Sequence, residues 1–391
     1  MNKRILHKEV QDFIQQNLKS NIAQLVLKGS PFEGISIQEL AGQIVSKQKS
    51  EKKIPTWFKT DNIYYPPKLN LEQTSSEVTA NYKAGLVKGE NLLDMTGGFG
   101  IDSFAFSKKF KKVLHCEINE ELSKIAQHNF KQLGQSNIEC VEASAIEYLS
   151  KSEKTFDCIY VDPSRRHDKK GKVFLFEDCE PNIPRNIDML FQVADQVLIK
   201  TSPILDISSV INELKFVKDI HIVAVDNEVK ELLYFLQKDY TDQIEIKSIN
   251  INKKGHKLFS FIYKSKSNST YSEALKYLYE PNSAILKSGG FHEISNQLKV
   301  HKLHLHSHLY TSNELIDFPG RKFEIIDVIP YDKKKVKKAF KEKKANITTR
   351  NFPKSVDQIR KDLKLKDGGH YYLFFTKDSN EKFICIICIK R

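Results

Sequence analysis

The sequence predicts an α/β fold: a parallel, doubly wound sheet, preceded by a helical region and followed by a small α+β module. Three observations point there. Strand-like apolar runs alternate with helical patterns from about residue 91 to 263, as in consecutive βαβ units. One such run ends in Asp94 and turns through Gly97, Gly98 and Gly100 into a helical pattern, which lets backbone approach a ligand closely. The next strand ends in a second acid, Glu117, at the roughly 20-residue interval of ribose-binding acids in Rossmann-like folds.

Taken in order, residues 1–86 read as helical. Ile5, Val10, Phe13, Ile14 and Leu18 follow helical spacing, and Ser36 with Glu39 three residues on forms a capping-box pattern. Residues 87–265 form the α/β core, with strands expected at 91–95, 112–117, 138–141, 156–161, 196–200 and 219–225. Helices are expected at 120–133 and 206–214, and strand-like runs at 231–236 and 258–263 suggest a closing hairpin. A Ser- and Lys-rich stretch, 264–270, reads as a linker. Beyond it, 271–320 and 321–391 carry short elements with their own turn signals, Pro319-Gly320 and Asp367-Gly368-Gly369.

Composition narrows the function classes. No apolar run approaches the roughly 20 residues that span a bilayer, and Met1-Asn2-Lys3-Arg4 does not open a secretory leader. A cytoplasmic protein with no membrane partner is expected. The six cysteines fall mostly in apolar strand patterns, as reduced buried thiols do. Cys385 and Cys388 have CxxC spacing inside one such pattern, and His304, His306 and His308 would share a face if their segment were a strand; no metal is expected at either. The net charge of +13 favours a polyanionic partner, nucleic acid foremost, although a lysine-rich proteome gives the same balance. The basic stretch 47–59, with the only tryptophan, Trp57, reads equally as a nucleic-acid contact or a solvated linker.

A dinucleotide and S-adenosylmethionine both contain adenosine, so a ribose-binding Glu117 does not separate them. Asp94 does: a carboxylate at the glycine turn suits a cationic amino group better than a pyrophosphate. At these residues the chain resembles the class I methyltransferases, from Asp94 to about Tyr263. The resemblance implies S-adenosylmethionine as cofactor, with Asp94, Thr96, Gly97, Gly98 and Gly100 around its methionine end and Glu117 on its ribose. Where many members place an acid for the adenine amine, this chain offers Ser144, whose hydroxyl can accept the same bond.

The fourth strand ends in Asp162-Pro163-Ser164-Arg165-Arg166, similar to the position where nucleic-acid methyltransferases hold cofactor and an exocyclic amine. Arg165 replaces the aromatic residue of that motif, so stacking on a base is lost; Arg165 and Arg166 suit phosphate instead. A C5-pyrimidine route lacks its cysteine, since the fifth strand ends in Lys200-Thr201-Ser202-Pro203. Lys83, Asp162, Lys200 and Glu231 stand at places similar to the Lys-Asp-Lys-Glu tetrad of ribose 2′-O-methyltransferases of the heat-shock ribosomal-RNA type. A 2′-hydroxyl is a weak nucleophile, and a positioned lysine could take its proton. Both targets stay open, as do a phosphate-binding role for Lys200 and a structural one for Glu231.

Across its length the chain resembles a bacterial methyltransferase family ending in a ferredoxin-like segment and a THUMP-like domain. The matching residues are Glu72-Gln73-Thr74-Ser75-Ser76-Glu77, Asp162-Pro163-Ser164-Arg165-Arg166, Tyr279-Glu280-Pro281, His308-Leu309-Tyr310-Thr311-Ser312 and Phe318-Pro319-Gly320-Arg321. The resemblance implies RNA as substrate. Lys334, Lys338 and Arg350 then join Arg165 and Arg166 as expected RNA contacts, the alternative for the lysine run being a solvated helix face. Two rival functions remain: methylation of a protein or small molecule, and RNA binding without catalysis.

Overall fold

The structure is a computed structural model described for residues 1–66, 68–165, 176–253 and 255–391, the side chains of 68–70 and 165 excepted. The chain divides into two compact units, 1–218 with 233–242, and 219–232 with 243–391.

The first unit opens with helices α1 (Lys8–Gln16), α2 (Ile22–Lys28), α3 (Ile37–Lys53), α4 (Pro55–Lys59), α5 (Lys68–Gln73) and α6 (Glu77–Ala84). Ser36 and Glu39 close the expected capping box at the start of α3. Pro55 opens α4, where its fixed φ and missing N–H cost nothing. The 47–59 stretch is therefore helical. Trp57 is fully buried, with its ring 4.6 Å from Phe99 and edge-on to Phe104 and Phe130. The indole is core beneath the glycine turn and not a nucleic-acid contact, because three phenylalanines enclose it.

Strands β1 (Asn91–Asp94), β2 (Lys112–Glu117), β3 (Ile138–Glu142), β4 (Phe156–Val161) and β5 (Ala194–Thr201) alternate with α7 (Ile101–Ser107), α8 (Glu120–Gln132), α9 (Ala145–Lys151) and α10 (Ile183–Val193). Helix α11 (Ile207–Glu213) follows, then β6 (Val217–Val225), β7 (Glu228–Gln237), β8 (Glu245–Asn252) and β9 (Gly255–Ile262). The nine strands run in the order β9-β8-β6-β7-β5-β4-β1-β2-β3. The pairs of β1 with β2, β1 with β4 and β4 with β5 are parallel. This register brings the carboxyl ends of β1 and β4 side by side, Asp94 opposite Tyr160, and ligands of open α/β sheets bind outside those ends.

Strand β8 escaped the sequence reading. Its centre holds a fully buried Ser248, which breaks the apolar alternation that marks a strand. The β6–β7 turn uses Asp226 and Asn227, both with positive φ (49° and 68°), the backbone of a tight hairpin.

In the second unit a seven-stranded sheet is built from β10 (Tyr277–Pro281), β11 (His301–Lys302), β12 (Tyr310–Ser312), β13 (Gly320–Pro330), β14 (Asn346–Thr349), β15 (Tyr371–Lys377) and β16 (Phe383–Lys390). Its order is β11-β12-β10-β13-β16-β15-β14. Helices α12 (Ser283–Ser288), α13 (Phe291–Leu298), α14 (Lys333–Ala339) and α15 (Val356–Leu363) accompany it. The strand at His301 ends after two residues, so His304, His306 and His308 lie in a turn segment and share no strand face. Cys385 and Cys388 are buried in β16 as free thiols. Among the described residues no helix is long and apolar enough to cross a membrane.

Candidate active site

The turn between β1 and α7 is fixed by what lies under it. A Cβ on Gly97 would lie 2.2 Å from the His115 ring, and one on Gly100 2.4 Å from the Phe130 ring. Gly98 and Gly100 also hold left-handed backbone, φ 56° and 91°. Beside the turn, Glu117 is half-buried at the end of β2. Its Oε2 accepts the Gly98 N–H at 2.8 Å and its Oε1 the Asn119 N–H at 2.8 Å. A carboxylate offers about four acceptor positions, so two remain for ribose hydroxyls. Ser144 is the cap residue of α9 yet makes no capping bond, which leaves its hydroxyl for an adenine amine. These residues fit an adenosine-bearing cofactor.

Asp94 is completely buried. Its Oδ1 accepts the Thr96 N–H at 3.1 Å and its Oδ2 the Ser103 hydroxyl at 2.5 Å. Burial pushes its carboxyl up to about 7 against these two donors, with nearby Asp102 and Asp162 adding to the rise. Ser103 Oγ also meets His115 Nδ1 at 2.9 Å. Nε2 is buried without a hydrogen-bond partner among the described residues, and burial lowers His115 to about 4. Asp94 thus braces the turn from below, with none of its surface exposed.

Sequence reasoning gave Asp102 and Tyr160 no role and named Ser75 only within a matching motif. Asp102 stands in the first turn of α7, where an acid ordinarily signals only a helix start. Here Lys83 Nζ, fully buried on α6, lies 3.2 Å from Asp102 Oδ1 and donates to Ser75 Oγ at 3.0 Å. Asp102 Oδ2 accepts Ser75 Oγ at 2.7 Å and Tyr160 OH at 2.9 Å. Burial works against the charge of Asp102, but the Lys83 and Lys200 cations and these hydroxyls hold its carboxyl below the usual range. Lys200, at the end of β5, pairs with Asp162 just past β4. The Asp162 N–H donates to Thr96 Oγ1 at 2.7 Å, which ties β4 to the glycine turn.

Lys83, Asp102, Lys200, Asp162, Thr96 and Asp94 therefore meet at the carboxyl end of the sheet. The Asp162 side chain is 33% exposed, that of Lys200 14% and that of Asp102 13%, whereas Lys83 is sealed. Glu231 is buried in β7. The side chain of Arg165, and all of Arg166, lie outside the described residues. Lys334 and Lys338 are exposed on α14, whose Val336 faces the core. Arg350 is engaged: its Nη2 donates to buried Glu280 Oε1 at 2.9 Å, and Arg321 Nε meets Oε2 at 2.5 Å.

Comparison with known proteins identifies relatives of three stretches of the chain and of its fold. Residues 73–167 match the ubiE/COQ5 methyltransferase family, 277–319 a ferredoxin-like domain and 320–390 a THUMP domain-like family. The ubiquinone/menaquinone biosynthesis C-methyltransferase UbiE of Francisella tularensis subsp. novicida (strain U112) is 30% identical over 142 residues, 32% of this chain and 55% of that protein. The UbiE of Escherichia coli O1:K1 / APEC is 34% identical over 82 residues, 20% of this chain and 32% of that one. The chain spans about half the length of the first of these relatives and a third of the second. The crystal structure of a candidate methyltransferase from Porphyromonas gingivalis W83 aligns over 100% of this chain and 98% of that one, at 30% identity and a TM-score of 0.89. With that protein, the chain belongs to the class I S-adenosylmethionine-dependent methyltransferases that end in a ferredoxin-like segment and a THUMP-like domain.

Proposed function

We propose that the protein methylates RNA, at a 2′-hydroxyl or an exocyclic base amine held by Asp162. The observation that carries this reading is the Lys200–Asp162 pair, open to solvent at the carboxyl end of the sheet and tied through Thr96 to the glycine turn. When bound, S-adenosylmethionine supplies a methyl group on a sulfonium, which needs only a nucleophile in line. Glu117 would hold its ribose, Ser144 its adenine, and the turn from Thr96 to Gly100, braced by Asp94, its methionine end. Lys200 engages Asp162 Oδ2, which leaves Oδ1 to accept the O–H or N–H of the acceptor. Lys83 acts as a positioning residue. Sealed against Asp102, it holds the carboxylate whose field reaches Lys200.

RNA as acceptor is supported by the net charge of +13, by the exposed lysines of α14 and by the THUMP-like match. The likeness to quinone-biosynthesis enzymes is confined to 32% of the chain and speaks for the methyl donor more than for the acceptor. The test is transfer of labelled methyl from the cofactor to total RNA of a strain lacking the gene, followed by nucleoside mass spectrometry. A methylated nucleoside that disappears with Asp162→Ala supports the reading, and its structure names the atom. Cofactor binding without RNA labelling overturns it.

A further inference from the structure

The THUMP-like part of the second unit contains an open cleft of about 490 Å³, lined by Thr349, Asn351, Phe352, Pro353, Lys377 and Phe383. It lies where β14 and β15 end and β16 begins. Phe383 opens β16 with 37% of its surface exposed, an unusual state for a phenylalanine beside a strand of buried residues. The ring is braced from behind. Phe352 meets it edge-on at 5.2 Å, and Phe352 in turn packs on Tyr331 at 4.9 Å and Phe375 at 5.6 Å. Lys377 Nζ sits 5.2 Å from the Phe383 ring centre and bonds Glu381 at 2.7 Å.

Polar readout groups stand beside this platform. Asn351, in left-handed backbone (φ 49°), donates through Nδ2 to His304 Nδ1 at 3.0 Å, and His304 Nε2 meets Glu381 Oε1 at 2.5 Å. Asn351 and Thr349 both line the cleft and bring an amide and a hydroxyl to it. The lysine run 333–344 starts two residues after Tyr331, whose N–H donates to the Phe383 carbonyl, and ends with Lys344 two residues before β14. An exposed aromatic ring with a cation over it, an amide and a hydroxyl, and a neighbouring run of lysines are the parts of a single-stranded nucleic-acid site.

We propose that this cleft receives one unpaired nucleobase of an RNA, stacked on Phe383, while the lysine run holds the backbone on either side. The assignment rests on the RNA reading above and adds a binding site remote in sequence from the glycine turn. Stacking on one aromatic ring accounts for roughly a 5- to 100-fold difference in affinity. It should not affect ligands that carry phosphate but no base.

The test uses the full chain, with a fluorescein-labelled mixed-sequence single-stranded RNA of twelve nucleotides and inorganic polyphosphate as probes, read by anisotropy and competition. Phe383→Leu keeps the apolar bulk and removes the ring; Phe383→Trp keeps a platform. The expected result is a loss of about tenfold or more for RNA with the Leu variant, recovery with Trp, and unchanged polyphosphate binding. Unchanged RNA binding by the Leu variant, or an equal loss for polyphosphate, overturns the nucleobase site while leaving RNA as substrate. Failure of the unaltered protein to bind either probe overturns both.

Discussion

Lys83 and Asp102 form an ion pair of 3.2 Å in which the lysine has no solvent exposure at all. The sequence aligned this lysine with a proton-accepting tetrad member; we propose that, buried against Asp102, it holds that carboxylate at the base of the site.

That role has a signature in stability. Removing one partner of a buried pair costs about 3–5 kcal/mol, because the other charge is left uncompensated. Lys83→Met is expected to lower unfolding free energy by this order in urea titrations, and Lys83→Met with Asp102→Asn to recover a large part of it. A stable Lys83→Met protein with a lost pH dependence of turnover would instead mark Lys83 as the base.

Asp94 makes a pH prediction whose sign follows from its raised pKa. Below about 4 the carboxyl is neutral both folded and unfolded; between about 4 and 7 only the unfolded chain ionises, so folding weakens as pH rises, and above about 7 the loss is complete. The limiting slope is about 1.4 kcal/mol per pH unit. Asp94→Asn removes that loss. The variant should match the parent protein near pH 4 and exceed it by a few kcal/mol at pH 7 to 8, measured by denaturant unfolding at each pH. Comparison of the two proteins cancels the opposite trend from His115, which burial holds near 4 and which therefore stabilises less as pH falls below its ordinary value.

On the proposed reading the outer pair serves the chemistry more than cofactor affinity. Asp162→Asn and Lys200→Met should each reduce methyl transfer by about 100-fold or more, the range of a positioned acid–base group. Binding of S-adenosylhomocysteine by calorimetry should stay within a few-fold. A parallel loss of cofactor affinity would place Asp162 in the cofactor cradle alone.

Gly97 is held by His115, and the test is a double variant. Gly97→Ala drives a Cβ to 2.2 Å from the buried ring and should destabilise by about 1–3 kcal/mol, as overpacking does. His115→Ala opens the space, so adding it to Gly97→Ala should cost less than His115→Ala costs the parent protein. Additive losses in thermal unfolding would refute the contact.

The second unit and the network at the sheet edge divide the same way between local pattern and tertiary choice. The glycine turn, the acids at the ends of β1 and β2, the Ser36 cap and most core strands were legible, because each is a short-range pattern: a spacing, a terminal acid, an alternation. The methyl donor followed from the resemblance to class I methyltransferases that Asp94, Gly97, Gly98, Gly100 and Glu117 carry within one βαβ stretch. Partnership was not legible. Arg350, expected on RNA, is bound to Glu280 seventy residues away, and Trp57, in a basic stretch, is enclosed by rings from three other segments. Asp102 carried no mark beyond a helix start, yet the side chains of Lys83, Ser75 and Tyr160 converge on it. Spacing along the chain sets which way a side chain points from its own element; which charge it meets, and whether water reaches the pair, is decided only when distant elements pack.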